Sequence, residues 1–191
     1  MAKVYPEITP QLAEWIRTQP MFFVGTAPLS AQGHVNVSPR GLDTFRILDP
    51  NQVAYLDLTG SGNESAAHIR ENHRLTIMFC AFAGEPRILR LYGEGEVVLP
   101  SDADWPDLRA HFPQSLPGTR QIVRLLVTRV QTSCGYGVPL MDFVAQRERL
   151  TNWASDKGEA GLRDYRAAKN ARSIDGLPAP GWDDAEFDRE L

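Results

Sequence analysis

The chain has 191 residues, 42% of them hydrophobic, which is enough for one domain with a substantial core and an appended piece. A net charge of −4 and the lack of any Lys/Arg run argue against nucleic acid or a membrane surface as partner. No apolar run approaches the roughly 20 residues of a bilayer span, residues 1–7 lack the apolar core of a secretory signal, and two cysteines make no disulfide framework, so a reducing, cytoplasmic home is expected.

Residues 9–18 start with Thr9 as a cap and Pro10 at the first helical position, then set Leu12, Trp15 and Ile16 at helical spacing, which predicts a short amphipathic helix. An apolar, β-rich stretch at 21–26, turn residues at 30–33 and a period-two stretch at 34–38 predict a first hairpin. Pro39 removes a ladder donor, so regular pairing is expected to stop there and to release Ser38 and Arg40 toward a ligand.

Residues 45–48 and 53–58, joined by Asp-Pro-Asn-Gln, predict a second hairpin with one buried face. The chain then runs through Thr59-Gly-Ser-Gly-Asn-Glu64 into a helix expected from about residue 61 to 71, with Ser61 and Glu64 at the spacing of a capping box. Such a junction leaves backbone N–H groups unpaired at the positive end of a helix dipole, the arrangement that holds a phosphate; the alternative is an ordinary capped helix after a tight turn. His68 and His73 are five apart, about 140° around a helix, so they share no metal-binding face and read as surface or helix-end residues; no metal site is expected.

Residues 75–82 are almost wholly apolar and predict a central strand covered on both faces, with Cys80 a small core residue. In the long strand expected over 87–99, Arg87 and Arg90 have opposite parity, and Gly93 and Gly95 suggest a bulge or a sharp bend. Residues 101–111 predict a capped helix, 121–132 a closing strand, 141–171 charged helix, and 173–182 an irregular tail that either straps across a neighbouring subunit or is loosely held. The two-glycine loop at 133–139 offers a thiol and a phenol and reads as either the border of a substrate pocket or a plain turn at the barrel end. Many short strands without regular βαβ alternation indicate a mainly β fold with flanking helices, an antiparallel split barrel over residues 1–140, followed by a helical extension and tail over 141–191.

Spacing rejects several familiar sites. The Gly60–Gly62 turn lacks the third glycine of a dinucleotide fingerprint, no Gly-Lys-Ser/Thr follows it, and Ser61 is not flanked as in a nucleophile elbow. What remains is a cation-rich corner, with Arg40 upstream of the turn and Arg87 and Arg90 downstream.

Taken in order, Asn36-Val-Ser-Pro-Arg-Gly41, Thr59-Gly-Ser-Gly-Asn-Glu64 and Pro86-Arg-Ile-Leu-Arg-Leu-Tyr-Gly93 resemble the pyridoxamine 5′-phosphate oxidase-like family of FMN-binding split barrels. The resemblance implies FMN as cofactor and a homodimer whose flavin sites draw on both chains. It implies a flavin-dependent oxidoreductase acting on a small molecule, with a nicotinamide (NAD(P)H), oxygen or another reductant as electron partner. A deazaflavin in place of FMN, or a non-catalytic barrel that stores or senses flavin or haem, are the alternatives.

On the same basis, Asn36, Ser38 and Arg40 would lie along the ring and ribityl chain or reach the phosphate. Thr59, Ser61, Asn63 and Glu64 would stand beside the phosphate, and Arg87 and Arg90 would touch ring or phosphate or else form salt bridges. The chain departs from the family pattern at Glu64, where a basic residue is common; this carboxylate is expected to reach back to Ser61 or to pair with Arg40. It also has Ser173-Ile-Asp-Gly-Leu-Pro178 in place of the C-terminal Trp and Arg-Leu-x-Pro elements with which true pyridoxamine phosphate oxidases recognise substrate. Vitamin B6 oxidation is therefore not the expected reaction.

Overall fold

The computed structural model describes residues 2–181; the end of the expected tail, from Trp182 onward, lies outside the described residues. The elements in order are β1 (Lys3–Tyr5), α1 (Pro10–Arg17), β2 (Phe22–Thr26), β3 (Asn36–Arg40), β4 (Phe45–Asp49), β5 (Gln52–Leu58), α2 (Glu64–Asn72), β6 (Arg74–Cys80), β7 (Ile88–Val98), α3 (Trp105–Arg109), β8 (Thr119–Ser133) and α4 (Arg149–Lys169).

One antiparallel sheet runs β3-β2-β6-β7-β8-β5-β4, with β1 added to β8. Its two ends, β3 and β4, are not paired to each other, so the barrel is split. Strands β7 and β8 are long because they serve both halves. β7 pairs with β6 over Ile88–Glu94, and β8 pairs with β5 over its first half. Between them the register slips: Tyr92 faces Arg129 while Gly93 faces Val127, which leaves Thr128 as the extra residue of a bulge. A Cβ on Gly93 would stand 1.9 Å from the Leu126 carbonyl oxygen, so only glycine fits opposite this bulge.

The barrel interior is filled by Phe22, Val24, Tyr55, Ile77, Phe79, Leu89, Leu91 and Leu125, with Leu12 and Ile16 of α1 closing one side. Thr9 caps α1 as expected, its Oγ1 accepting from the Leu12 N–H. The other face of β5, Ala54, Leu56 and Leu58, packs with Leu108 and Phe112 in a second cluster, so this strand is buried on both sides.

Several expectations are corrected. Pairing does not stop at Pro39: β3 continues to Arg40, with Phe23 opposite Pro39, because β3 is an edge strand where a missing N–H need face no partner. Strand β6 is not covered twice, since Thr76 and Met78 on its outer face are half-buried. Helix α3 is only five residues long with no side-chain cap, because Asp102 turns back to accept the Leu99 N–H instead. Residues 139–148 are irregular, and α4 itself breaks at Gly158 (φ 64°). Over its described part the tail is not loosely held. It straps the same chain, with Ala179 fully buried and its carbonyl accepting from Arg70.

Candidate functional site

The corner singled out by the sequence lies where β5 gives way to α2, and β3 supplies its other wall. Along β3 the odd residues Val37 and Pro39 are exposed while Asn36, Ser38 and Arg40 turn inward, so the period-two pattern delivers three polar side chains to one place. A cavity of about 380 Å³ is lined there by Asn36, Ser38, Arg40, the Gly60–Ser65 turn, Arg120 and Ile174.

Behind the cavity is a buried charge network. Asp57, on the interior face of β5 and only 1% exposed, is held by three donors. Arg40 Nη1 bonds its Oδ1, while Arg120 Nε (2.9 Å) and Gln121 Nε2 (2.7 Å) donate to its Oδ2. Burial alone would push the Asp57 carboxyl up, but Arg120 and Arg40 together hold it below the usual carboxylate range. Two guanidiniums share one carboxylate, so the cluster retains one positive charge. Arg40 also lies over the Tyr55 ring, 5.5 Å from its centroid, and its buried Nε has no hydrogen-bond partner among the described residues.

Around this core the turn is fixed from several sides. Asn63 Oδ1 accepts from Gln121 Nε2 (2.9 Å), and Asn63 Nδ2 donates to the Asn170 carbonyl (3.2 Å). Arg120 Nη1 donates to the Gly62 carbonyl (3.0 Å). On the β3 side, Asn36 Nδ2 donates to Ser65 Oγ (3.0 Å) and its Oδ1 accepts from Ser38 Oγ (3.1 Å).

The expected capping box does not form. Helix α2 starts at Glu64 with Asn63 as its cap residue, and the Asn63 side chain makes no capping hydrogen bond. Glu64 Oε2 instead accepts the Ile174 N–H (2.9 Å), so this carboxylate neither reaches Ser61 nor pairs with Arg40, whose partner is Asp57. The first turn of α2 is therefore left for another acceptor.

Of the nine expected binding residues, Asn36, Ser38, Arg40, Ser61, Asn63 and Glu64 line the cavity. Thr59 does not: it is fully buried, donating its hydroxyl to Gly118 O (2.8 Å) and accepting from Arg166 Nε (2.8 Å). Arg87 precedes β7 and stacks on Trp15, its Cζ 5.3 Å from the ring centroid. Arg90 belongs to the cross-strand row Pro39–Phe23–Met78–Arg90, on the sheet face opposite to Arg40, and donates to Ser133 Oγ. No residue of the 133–139 loop lines the cavity; Gly135 packs on the Arg87 backbone. His68 is no surface residue: it is 1% exposed, with Nδ1 3.0 Å from Thr26 Oγ1.

Asp57, Arg120, Gln121 and Asn170 were not among the expected site residues. The signal for the first three was present, since Asp57 sits in the apolar run Val53–Leu58 and Arg120-Gln121 opens another apolar strand, and charge in such a setting demands a partner. Asn170 had no comparable signal.

The observed features fit a phosphate: a surplus guanidinium charge, an orphaned Arg40 Nε, hydroxyls from Ser38, Ser61 and Ser65, an uncapped helix start, and open space over Gly60. Fold and corner together define an antiparallel split barrel with a polar, arginine-lined corner. Comparison with known proteins makes this specific. The family described as pyridoxamine 5′-phosphate oxidase matches residues 8–134. The pyridoxamine 5′-phosphate oxidase family protein ustO of Aspergillus flavus is 40% identical over 192 residues, covering 91% of this chain and 76% of its own length. The chain belongs to the pyridoxamine 5′-phosphate oxidase family. Among solved structures, a HupZ variant from Group A Streptococcus superposes with a TM-score of 0.51 at 19% identity, covering 66% of this chain and 99% of that one, a likeness of fold.

Proposed function

We propose that this chain is an FMN-dependent oxidoreductase that acts, as a homodimer, on a small molecule other than pyridoxamine phosphate. The observation that carries the reading is the corner between β3 and α2, where Arg40 and Arg120 share a single buried carboxylate, Asp57, and the Glu64 carboxylate at the start of α2 is turned to the Ile174 N–H. A phosphate there would receive the orphaned Arg40 Nε or the first amides of α2, with serine hydroxyls completing the set. Bound flavin would supply the redox chemistry. The protein's part is then to grip the phosphate, align the ribityl chain along Asn36 and Ser38, and keep water from the ring.

The homodimer is supported by the outer face of the sheet. Phe23, Met78 and Tyr92 are half-buried, and Val37 is 65% exposed, an apolar face that the described residues leave uncovered. Arg90 stands on that face, so a second copy packed there would offer its Arg90 from across the interface. Loss of the Arg-Leu-x-Pro element and use of Ser173–Leu177 as a strap support a substrate other than vitamin B6.

The test is direct. Purified protein, or apoprotein incubated with FMN, is expected to show flavin absorbance that is released on denaturation and to bleach under anaerobic NADPH or NADH. Failure to take up FMN overturns the reading; uptake without bleaching by any reductant or oxidation by any acceptor assigns it to flavin storage instead.

A further inference from the structure

We propose that Asn170, outside the part of the chain matched by the family, is a positioning residue through which the C-terminal strap sets the corner's preference for a phosphorylated ligand. This rests on the reading of the corner as a phosphate site. Asn170 follows the last residue of α4 and is 1% exposed. Its Oδ1 accepts from Arg120 Nη1 (2.8 Å), its Nδ2 donates to Gly60 O (3.1 Å), and its carbonyl accepts from Asn63 Nδ2 (3.2 Å). One residue thus ties together β8, the glycine turn and the cap of α2, the pieces that face the cavity opposite β3.

The chemistry demands an amide. The side chain must accept from a guanidinium and donate to a carbonyl at once, which alanine cannot do and aspartate does by half. Aspartate would also place a second carboxylate on Arg120 and cancel the surplus charge behind the cavity. The strap also holds Glu64, the acidic residue on the first turn of α2, because the Ile174 N–H donates to Glu64 Oε2. The strap keeps its own anchors when Asn170 is changed: Ala179 N–H to Ala171 O (2.9 Å), Ser173 N–H to Leu177 O (2.9 Å), and the Arg70 bond to Ala179 O. The effect should therefore fall on the corner rather than on the fold.

The experiment titrates apoprotein with FMN and with riboflavin, which differ by the phosphate alone, following flavin fluorescence, for the full chain and for Asn170→Ala and Asn170→Asp. Melting curves of each variant, with and without inorganic phosphate, report folding independently. The wild type is expected to favour FMN. Asn170→Ala should cut the FMN-to-riboflavin affinity ratio about tenfold, the scale of one charge-assisted hydrogen bond, and Asn170→Asp should cut it further, with riboflavin affinity within about twofold throughout. An unchanged ratio in both folded variants, or equal loss of both ligands, overturns the proposal and leaves Asn170 a structural residue while the phosphate site stands. A wild type that binds FMN no better than riboflavin overturns the phosphate site and this inference with it. Should Asn170→Ala not fold, the near-isosteric Asn170→Asp decides between the same outcomes.

Discussion

Asp57 and Arg120 face each other across adjacent strands at the buried end of the barrel, Arg120 Nε donating to Asp57 Oδ2 at 2.9 Å, and both side chains are almost fully sealed from solvent. Among the described residues this carboxylate is the one counter-charge paired with the guanidinium, and it also serves Arg40. Removing it would strand two cations. Asp57→Asn is expected to cost about 3–5 kcal/mol in urea unfolding, the range for breaking a buried pair on one side.

The same pair sets an acid limit. Because the folded-state value of Asp57 lies below the 3.8 of an ordinary aspartate, the wild type gains stability from it above that value and loses it as pH falls toward the folded value. Melting temperatures measured below about pH 4 should drop more steeply for the wild type than for Asp57→Asn. Parallel acid slopes would show that the guanidiniums do not stabilise the carboxylate.

His68 acts in the other direction. Burial holds its ring below the usual 6.5 despite the nearby carboxylates of Glu64, Asp175 and Glu71, and Nε2 finds no partner among the described residues. The unfolded chain therefore takes up a proton near pH 6.5 that the native state refuses, so stability is full above that pH and declines as pH falls toward the depressed folded value. His68→Gln, which can still bond Thr26, should flatten the decline in melting temperature between about pH 7 and 5. An unaltered slope would place the titration elsewhere.

Glycines separate folding from binding. Gly93→Ala would drive a methyl into the Leu126 carbonyl and is expected to cost at least about 1–3 kcal/mol. Gly60→Ala meets nothing within 4 Å, and its effect on stability should stay within about 0.5 kcal/mol. Since Gly60 lines the cavity, the same methyl should weaken FMN binding severalfold while the melting temperature holds.

The barrel was legible because its signals are local. Alternation along 34–38, the Asp-Pro-Asn-Gln turn and the glycine opposite the β8 bulge each state their own geometry. The site was legible only in part. Asn36, Ser38 and Arg40 lie two residues apart on one strand and Ser61–Glu64 are contiguous, so one local conformation presents each group. Arg120 and Asn170 arrive from 63 and 113 residues beyond Asp57 through sheet pairing and a returning strap; a charge opening an apolar strand signals that Arg120 needs a partner without naming it, and nothing short-range announces Asn170. Glu64 shows the limit of motif reading. Its spacing from Ser61 is right for a capping box, but the Ile174 N–H competes for the carboxylate and wins.

The separation of Arg40 and Arg90 onto opposite faces of one sheet gives a decisive test of the dimer. Within a chain, Arg90 stands in the row of Pro39 and Phe23, while Arg40 faces inward beside Tyr55. If each flavin site takes Arg40 from one copy and Arg90 from the other, Arg40→Gln and Arg90→Gln homodimers should each bind FMN at least about tenfold more weakly, the scale of one charged hydrogen bond. A mixed dimer of the two variants combines both intact arginines at one site and both substitutions at the other. Unfolding and refolding the variants together, with isolation of the mixed species by differential tags, should therefore restore tight binding to one flavin per dimer. If mixed dimers bind no better than the parents, the two arginines do not meet across an interface, and Arg90 returns to its bond with Ser133 as its whole role.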